Sequence, residues 1–402
     1  MKPLCESVTA FLLMPFCGVM DEFIIFGKRQ NLFTMKYLLL ILLTGFAIRV
    51  HAQIGAAPIQ TTYGLLQFDK HFYDLDEHWV VAGKNPQTGK YIFGMVYLDM
   101  VAGFSLHVEG AFGINAQGKV FRDSVDYPRT SMTTVRLGPN TVLLAAIPDA
   151  MLDDLKLETK FNWLAIYHPP TQDRNSVAFK VTYGRHLNSA GAAAKAITYL
   201  EDAYKAEPHA AGVEFELAYA YNVLGQYDKA IVVLLPAIAN APNNGVLYGE
   251  LGFSYSQKKD YDNAVKTFTT ALSLIKGDPV SRMNAVTNLV HIYNEQQKFA
   301  EAQQVISGLI ADSPNNLSAY MLSAITYFGA KDYDNAIKNY SKVVDLTPAQ
   351  NVENKAETAI TIAMIYRDQK NDHDQFVAWA QKARAWAPAN GRAAAALKNM
   401  GF

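Results

Sequence analysis

The stretch that decides the fold is residues 211–242, AGVEFELAYAYNVLGQYDKAIVVLLPAIANAP. Two apolar, alanine-rich segments flank the turn residues Leu224-Gly225-Gln226, and Pro242 closes the stretch. Similar stretches follow, and they begin at Gly245, Met283 and Leu317. Self-similarity at a period of about 34 residues indicates helical hairpins stacked side by side.

The repeated positions hold small, apolar and aromatic residues at fixed offsets. In the first stretch they are Leu217, Ala218, Tyr221, Tyr227, Ala230, Ala237 and Pro242. In the next three they are Leu251, Gly252, Tyr255, Tyr261, Ala264 and Ala271, then Leu289, Tyr293, Phe299, Ala302 and Pro314, and then Ala324, Tyr327, Tyr333, Ala336, Tyr340 and Pro348. This pattern resembles the tetratricopeptide repeat. It departs from that family at Val290, which replaces the small residue, and at Ser323, which replaces the leucine.

Packing explains why these residue types recur. Two helices approach to about 8–10 Å, and small side chains at the crossing allow the closest approach. Aromatic rings fill the space between one hairpin and the next, and proline ends the second helix because it has no N–H to donate. A hairpin cannot bury its apolar face alone, so such an array is stable only when it is stacked. An unrelated helical bundle is the alternative.

The repeat frame extends in both directions from these four stretches. Counting back from Pro208 places Gly184 at the small site, although the alternation of residues 177–183 by itself is typical of a strand. The frame predicts helix there. We therefore expect an array of about six hairpins over residues 176–388, with degenerate first and last members, and a capping helix over residues 389–402.

The N-terminal residues have the character of a targeting segment. Lys36 precedes an apolar stretch, and Val50-His51-Ala52 is a small-residue cleavage site before Gln53. We interpret residues 35–52 as a signal peptide and residues 1–34 as an over-long gene start, and we expect export to the periplasm or the extracellular space. A true N-terminal membrane anchor is the alternative. The protein has two cysteines, Cys5 and Cys17, so the chain beyond them forms no disulfide.

Residues 53–168 predict a mainly antiparallel β domain, joined to the array by a linker at residues 169–175. Turn chemistry lies between three pairs of β-rich segments. The pairs are residues 78–83 with 90–97, 111–114 with 120–123, and 133–137 with 141–145. A short helix is expected after Pro148, and residues 161–167 form a last apolar segment. The predicted fold class is therefore α+β and multidomain, with a β domain followed by a helical solenoid.

The sequence predicts no catalytic, metal or cofactor site. Residues 113–120 nearly match a phosphate-binding loop but lie between two strands. The His and acidic residues at positions 71–78 could bind a metal, yet acidic turn residues explain them more simply. Ser105 and His107 are expected to point outward from a strand. The formal net charge of -1, without a run of Lys or Arg, argues against nucleic acid as a partner.

What remains is a surface. The resemblance implies that the first helices of the hairpins line a concave groove that binds a protein or peptide. The residues expected to face it are Phe215, Tyr219, Asn222, Phe253, Ser256, Thr287, His291, Asn294, Met321, Ile325 and Phe328. The alternative is that several of these rings pack inside the array.

We expect a non-enzymatic scaffold without a cofactor and without stable membrane insertion once the signal is cleaved. The alternative function is a β domain that acts as a hydrolase or binds a small ligand and is presented by the repeats. The sequence does not indicate the oligomeric state.

Overall fold

The structure is a computed structural model, and it describes residues 57–126, 134–158 and 174–402. The described chain begins with eight strands: β1 Ile59–Thr61, β2 Gly64–Leu66, β3 His78–Lys84, β4 Tyr91–Asp99, β5 Gly103–Ile114, β6 Val120–Asp126, β7 Thr134–Arg136 and β8 Ala145–Ala146. Short 3-10 helices lie at Phe72–Asp74 and Asp149–Met151, the second of them after Pro148 as predicted. The predicted linker and the apolar segment at residues 161–167 lie outside the described residues, except for the linker's last two positions.

Thirteen helices follow among the described residues. They are α1 Val177–Ser189, α2 Ala193–Ala206, α3 Val213–Val223, α4 Tyr227–Asn240, α5 Gly245–Gln257, α6 Tyr261–Leu274, α7 Pro279–Glu295, α8 Phe299–Asp312, α9 Leu317–Gly329, α10 Tyr333–Leu346, α11 Val352–Asp368, α12 His373–Trp386 and α13 Arg392–Asn399. Consecutive helices pair into six hairpins, which we number 1 to 6, and α13 is left over. The predicted fold class, a β region followed by a helical solenoid, is confirmed.

The β strands form an antiparallel sheet in the order β6-β5-β4-β3-β8, and β1 pairs with β2. Two predicted hairpins are present, since Trp79 pairs with Met95 and Ile114 pairs with Val120. The third predicted hairpin was wrong. β7 pairs with β5, and residues 145–146 pair with β3, so the two segments diverge to different strands of the sheet.

Unsatisfied strand edges explain this divergence. Among the described residues, β6 pairs with β5 only from Gly110 onward and leaves the edge of β5 beside Ser105 to another strand. β7 takes that edge, with Arg136 opposite Ser105, while β8 pairs with the outer edge of β3. Backbone N–H and C=O groups need hydrogen-bond partners wherever they are buried. Each of the two segments therefore pairs with a different strand edge of the sheet and not with its neighbour in sequence.

The outward orientation predicted for Ser105 and His107 was also wrong, because their side chains are 0% and 4% exposed. Directly opposed residues of antiparallel strands share one face of a sheet, and His107 lies opposite Met95, a fully buried core residue. Phe104 on the other face is equally covered. β5 is therefore buried on both faces, and the polar–apolar alternation of its sequence does not mark a solvent side.

The described residues divide into two compact units, one ending at Asn240 and one running from Ala241 to Phe402. The first unit contains the β region together with hairpins 1 and 2. Here α1 confirms the repeat frame over the local alternation: the Ser176 side chain accepts a hydrogen bond from the Phe179 N–H and so caps the helix. Gly184 packs against Leu200 so closely that no Cβ would fit, as the small site requires.

Hairpin 1 is seated directly on the β region. The Phe104 ring of β5 meets the Tyr183 ring of α1 edge to face, with centroids 6.1 Å apart. Nε2 of His186 lies 3.0 Å from the Met100 carbonyl oxygen, and burial lowers the pKa of this imidazole. On α2, Nζ of Lys195 donates to the Tyr73 carbonyl at 2.7 Å and pairs with Asp74 at 2.9 Å. The β region thus covers the first end of the array.

The second unit contains hairpins 3 to 6 and α13. Three of its four hairpin turns share one chemistry: Asp260, Asp332 and Asp372 each cap a second helix by accepting a backbone N–H three residues later. At the other end, the Ala393 N–H at the start of α13 donates to Oε1 of Glu353 at 2.8 Å. Ala393 and Leu397 pack into the core of hairpin 6. α13 therefore closes the apolar end of the array.

Candidate partner-binding surface

One repeat position forms a row along the first helices. It is two residues before the recurrent tyrosine of hairpins 2 to 5. Its occupants are Tyr219 in the first unit and Phe253, His291 and Ile325 in the second unit. None of the four bears a fixed charge, and all four side chains are partly exposed. Because the position recurs once per hairpin, neighbouring first helices of a unit present these side chains at the same level.

In the first unit the candidate residues lie on α3. Phe215 and Tyr219 are one helical turn apart, and their rings stack with centroids 6.5 Å apart and an angle of 25° between planes. Both are half-buried, whereas Asn222 is buried. α3 thus offers a partner two adjacent aromatic faces.

In the second unit the candidates lie on α5, α7 and α9. The Phe253 ring is half-buried and packs against the cluster that contains Phe268, Leu289 and Ile292. The hydroxyl groups of Ser256 and Thr287 are almost fully buried. These two hydroxyls have little surface to offer a partner, while part of the Phe253 ring remains accessible.

Further along the row, the candidates combine apolar and amide groups. Nδ2 of Asn294 donates to Oγ1 of Thr326 at 3.1 Å. Its Oδ1 is buried and accepts no hydrogen bond within the described part of the chain. The remaining candidates are partly exposed, and they are His291, Met321, Ile325 and Phe328. The last three also pack against the cluster formed by hairpins 5 and 6, and Phe328 meets Tyr333 edge to face at 5.7 Å.

The sequence positions rejected as chemical sites have structural partners. Asp76 accepts the Leu98 N–H at 2.9 Å, Asp74 pairs with Lys195, and Glu77 pairs with Arg174. Among the described residues, no three His, Cys, Asp or Glu side chains are grouped to hold a metal ion. In the loop at residues 115–118, Oδ1 of Asn115 accepts the N–H groups of Gln117 and Lys119, and the Gly118 N–H donates to the Asn115 carbonyl oxygen and closes a turn.

A second surface was missed in the sequence. Within the described helices, every exposed large aliphatic side chain belongs to hairpin 2, and Val232 and Leu235 on α4 are 69% and 49% exposed. At the position of Val232, four of the other five second helices carry polar residues, which are Thr198, Lys266, Gln304 and Lys338, while α12 carries Ala378. Comparing the residues at this one repeat position across the second helices would have revealed the apolar outer face of α4.

Three tetratricopeptide repeat models match the chain, over residues 187–251, 246–278 and 287–351. No curated protein matches it. None of the thirteen described helices combines the length and apolar character needed to cross a bilayer.

Several solved structures are similar to part of this chain at low identity. A tetratricopeptide repeat protein from Parabacteroides merdae is 17% identical over 62% of this chain and 92% of its own, with a TM-score of 0.40. YrrB, described as having an unusual peptide-binding site, is 18% identical over 44% and 89%, with a TM-score of 0.35. PilW, a type IV pilus biogenesis factor, is 17% identical over 56% and 98%, with a TM-score of 0.43.

The family assignment rests on the repeat models and on the packing of small, aromatic and proline residues, since the neighbours are too distant to add to it. The models together span nearly all of residues 187–351. The chain is a tetratricopeptide repeat protein with an N-terminal β-rich region.

Proposed function

We propose that the protein is an exported, non-enzymatic scaffold that binds a protein or peptide through the first helices of its hairpins. The observation that supports this most is the row of uncharged side chains at one repeat position, of which Phe253, His291 and Ile325 belong to the second unit. Half-buried rings on a rigid helix are good anchors, because aromatic side chains dominate the energy of many interfaces. Nucleic acid does not fit such an uncharged row.

The chemistry of the row suggests an extended or helical segment with apolar side chains. Asn294 adds a polar group between the apolar ones, with an Oδ1 that accepts no hydrogen bond from the described residues. That oxygen is buried, so the proposed contact with a partner rests on the partly exposed apolar side chains of the row.

Replacing Phe253 and Ile325 together with lysine tests this proposal. Lysine retains a long aliphatic stem and good helix propensity, but it places two charges in the row. We expect affinity for a partner recovered with the purified protein as bait to fall by about thirtyfold or more, which corresponds to about 2 kcal/mol. Isothermal titration with the purified partner measures it, and circular dichroism checks helical content.

The matched control is the double replacement of Thr269 and Ser273 by lysine. These two exposed residues lie on the outer face of α6, so the control adds the same charge to the same unit. Its affinity should stay within twofold of the unmodified protein. An equal loss in both double variants, or no loss in either, would contradict binding through the first helices.

Export is the second element of the proposal, and it rests on the sequence of residues 35–52. Cleavage after Ala52 should give a mature chain that begins at Gln53. Expression in a bacterial host that secretes the protein, followed by mass spectrometry of its N-terminal peptide, measures the start. A secreted chain that still contains Met1 or Cys17 would contradict both the start site and the cleavage.

A further inference from the structure

A polar cleft lies between the second helices of hairpins 4 and 5, on a side of α9 that the row does not use. Its volume is about 590 Å³, within the range of small-ligand and peptide sites. α8 and α10 form its walls and α9 its floor. At about 100° per residue, the floor residues Tyr320 and Tyr327 point more than a quarter-turn away from Met321 and Ile325.

The cleft exists because a contact between α8 and α9, where hairpins 4 and 5 meet, is polar. At the preceding junction, where hairpins 3 and 4 meet, Val265 of α6 and Leu289 of α7 belong to one apolar cluster. At the following junction, where hairpins 5 and 6 meet, Ile337 of α10 and Ile362 of α11 belong to another. The equivalent residues at the cleft are Gln303 and Ser323. Nε2 of Gln303 donates to the Ser323 carbonyl, and the Ser323 hydroxyl donates to Oε1 of Gln303, both at 3.0 Å.

The two hydrogen bonds pair the polar groups of Gln303 and Ser323 with each other, but these side chains do not fill the space between the hairpins. Two further replacements act in the same direction: Asn339 corresponds to Val305 of the preceding junction, and Tyr320 corresponds to buried Val286. A close-packed core tolerates little empty volume, so the neighbouring junctions are filled by aliphatic groups. The cleft instead has two tyrosine rings on its floor and amide groups on its walls.

The cleft is elongated and carries positive charge. A smaller cavity of about 250 Å³ adjoins it and shares Tyr320, Lys338 and Asn339. Lys342 and Asp345 line that second part. Within residues 57–126, 134–158 and 174–402, neither lysine forms an ion pair. Asp334, the nearest acid before Lys338 in the sequence, pairs with Lys370 instead.

The length of the trough suits a short peptide. From Asn335 to Asp345, α10 rises about 15 Å at 1.5 Å per residue, which matches roughly four or five residues of extended chain. Amide side chains such as Gln304 and Asn339 both donate and accept hydrogen bonds, as a peptide main chain requires. Lysine ammonium groups recognise carboxylates as point charges.

We propose that this cleft is a second binding site, separate from the row, which takes an extended acidic peptide segment. Its carboxylates would lie against Lys338 and Lys342, and its main chain would run over the rings of Tyr320 and Tyr327. The site does not depend on the proposed function, because none of its residues belongs to the row.

The test uses a fluorescein-labelled pentapeptide of alternating glutamate and leucine, with fluorescence anisotropy as the readout on the full protein. We expect saturable binding below 1 mM, in the range of weak peptide sites, and at least tenfold weaker binding of the glutamine–leucine analogue. Lys338→Glu should lower affinity at least tenfold. Lys266→Glu is the matched control, because Lys266 is exposed at the same position of α6, and it should change affinity less than twofold.

A third variant closes the cleft. Gln303→Val with Ser323→Leu installs the aliphatic pair of the preceding junction and should abolish peptide binding while the helical circular dichroism signal is retained. If that variant fails to fold, the comparison of peptide affinity between Lys338→Glu and Lys266→Glu still tests the proposal. No saturation by the acidic peptide, equal binding of the analogue, or equal loss in both lysine variants would overturn the proposal. So would binding of a neutral oligosaccharide in place of the peptide, which would make the cleft a glycan site.

Discussion

Truncation of Phe268 to alanine should destabilise the unit from Ala241 to Phe402 by about 3–5 kcal/mol, the range for large buried aromatic residues. The ring is 1% exposed and packs in the cluster that joins hairpins 3 and 4, with Ala264, Leu289 and Ile292. Urea unfolding followed by far-UV circular dichroism measures the loss. Lys258→Ala, at an exposed position of the same hairpin, should stay within about 0.5 kcal/mol.

Gly252, which packs against the Phe268 ring, provides a second test of this contact. A Cβ added at Gly252 would lie 2.9 Å from the Phe268 ring, so Gly252→Ala should overpack the crossing at a cost of about 1–3 kcal/mol. In hairpin 2 the same two positions hold Ala218 and Leu234, both fully buried. Gly252→Ala combined with Phe268→Leu should therefore cost less than the sum of the single changes, by about 1 kcal/mol. Additive costs would contradict direct contact between these two positions.

Phe104→Ala should have an effect of similar size on the unit that ends at Asn240, about 3–5 kcal/mol. This buried ring contacts Phe72 of the β region at 5.4 Å and Tyr183 of hairpin 1 at 6.1 Å. Its loss should weaken both elements together. Hydrogen exchange with mass spectrometry measures this, and we expect faster exchange in β4, β5 and α1.

The control for Phe104 is Val135→Ala, since Val135 lies on β7 beside β5 but is half exposed. It should change the exchange of α1 by less than a factor of about two, in keeping with a surface change under 0.5 kcal/mol. If Phe104→Ala accelerates exchange in the strands but leaves α1 unchanged, the β region and hairpin 1 do not stabilise each other.

The helical array could be predicted because its determinants repeat. Gly184 and Leu200 occupy family positions, and that frame correctly overrode the strand-like alternation of residues 177–183. The alternation predicted a strand, but the segment is a helix because Ser176 caps its first turn and Tyr183 packs against Phe104 of the sheet. Neither contact can be recognised from the seven residues 177–183 alone, whereas the repeat pattern recurs over the whole array.

The β region was less predictable, for a physical reason. Which strand pairs with which depends on edges left open elsewhere, as with β7 and the free edge of β5. Burial of Ser105 and His107 likewise depends on strands and helices distant in sequence. The positions of the candidate row followed from the repeat frame. Its partial burial could not be predicted, because Phe253 and Ile325 pack against clusters that include residues of the next hairpin.

The contact between Phe104 and Tyr183 has a consequence for how the protein is made. Tyr183 is 79 residues after Phe104 in the chain. Ribosomes add about 5–20 residues per second, so the finished strand β5 waits roughly 4–16 s before its covering helix has been synthesised. During that interval an apolar face of the nascent sheet is open to water and to other chains. Codon choice between these two positions, and chaperones that bind the nascent chain there, should therefore influence the yield of folded protein.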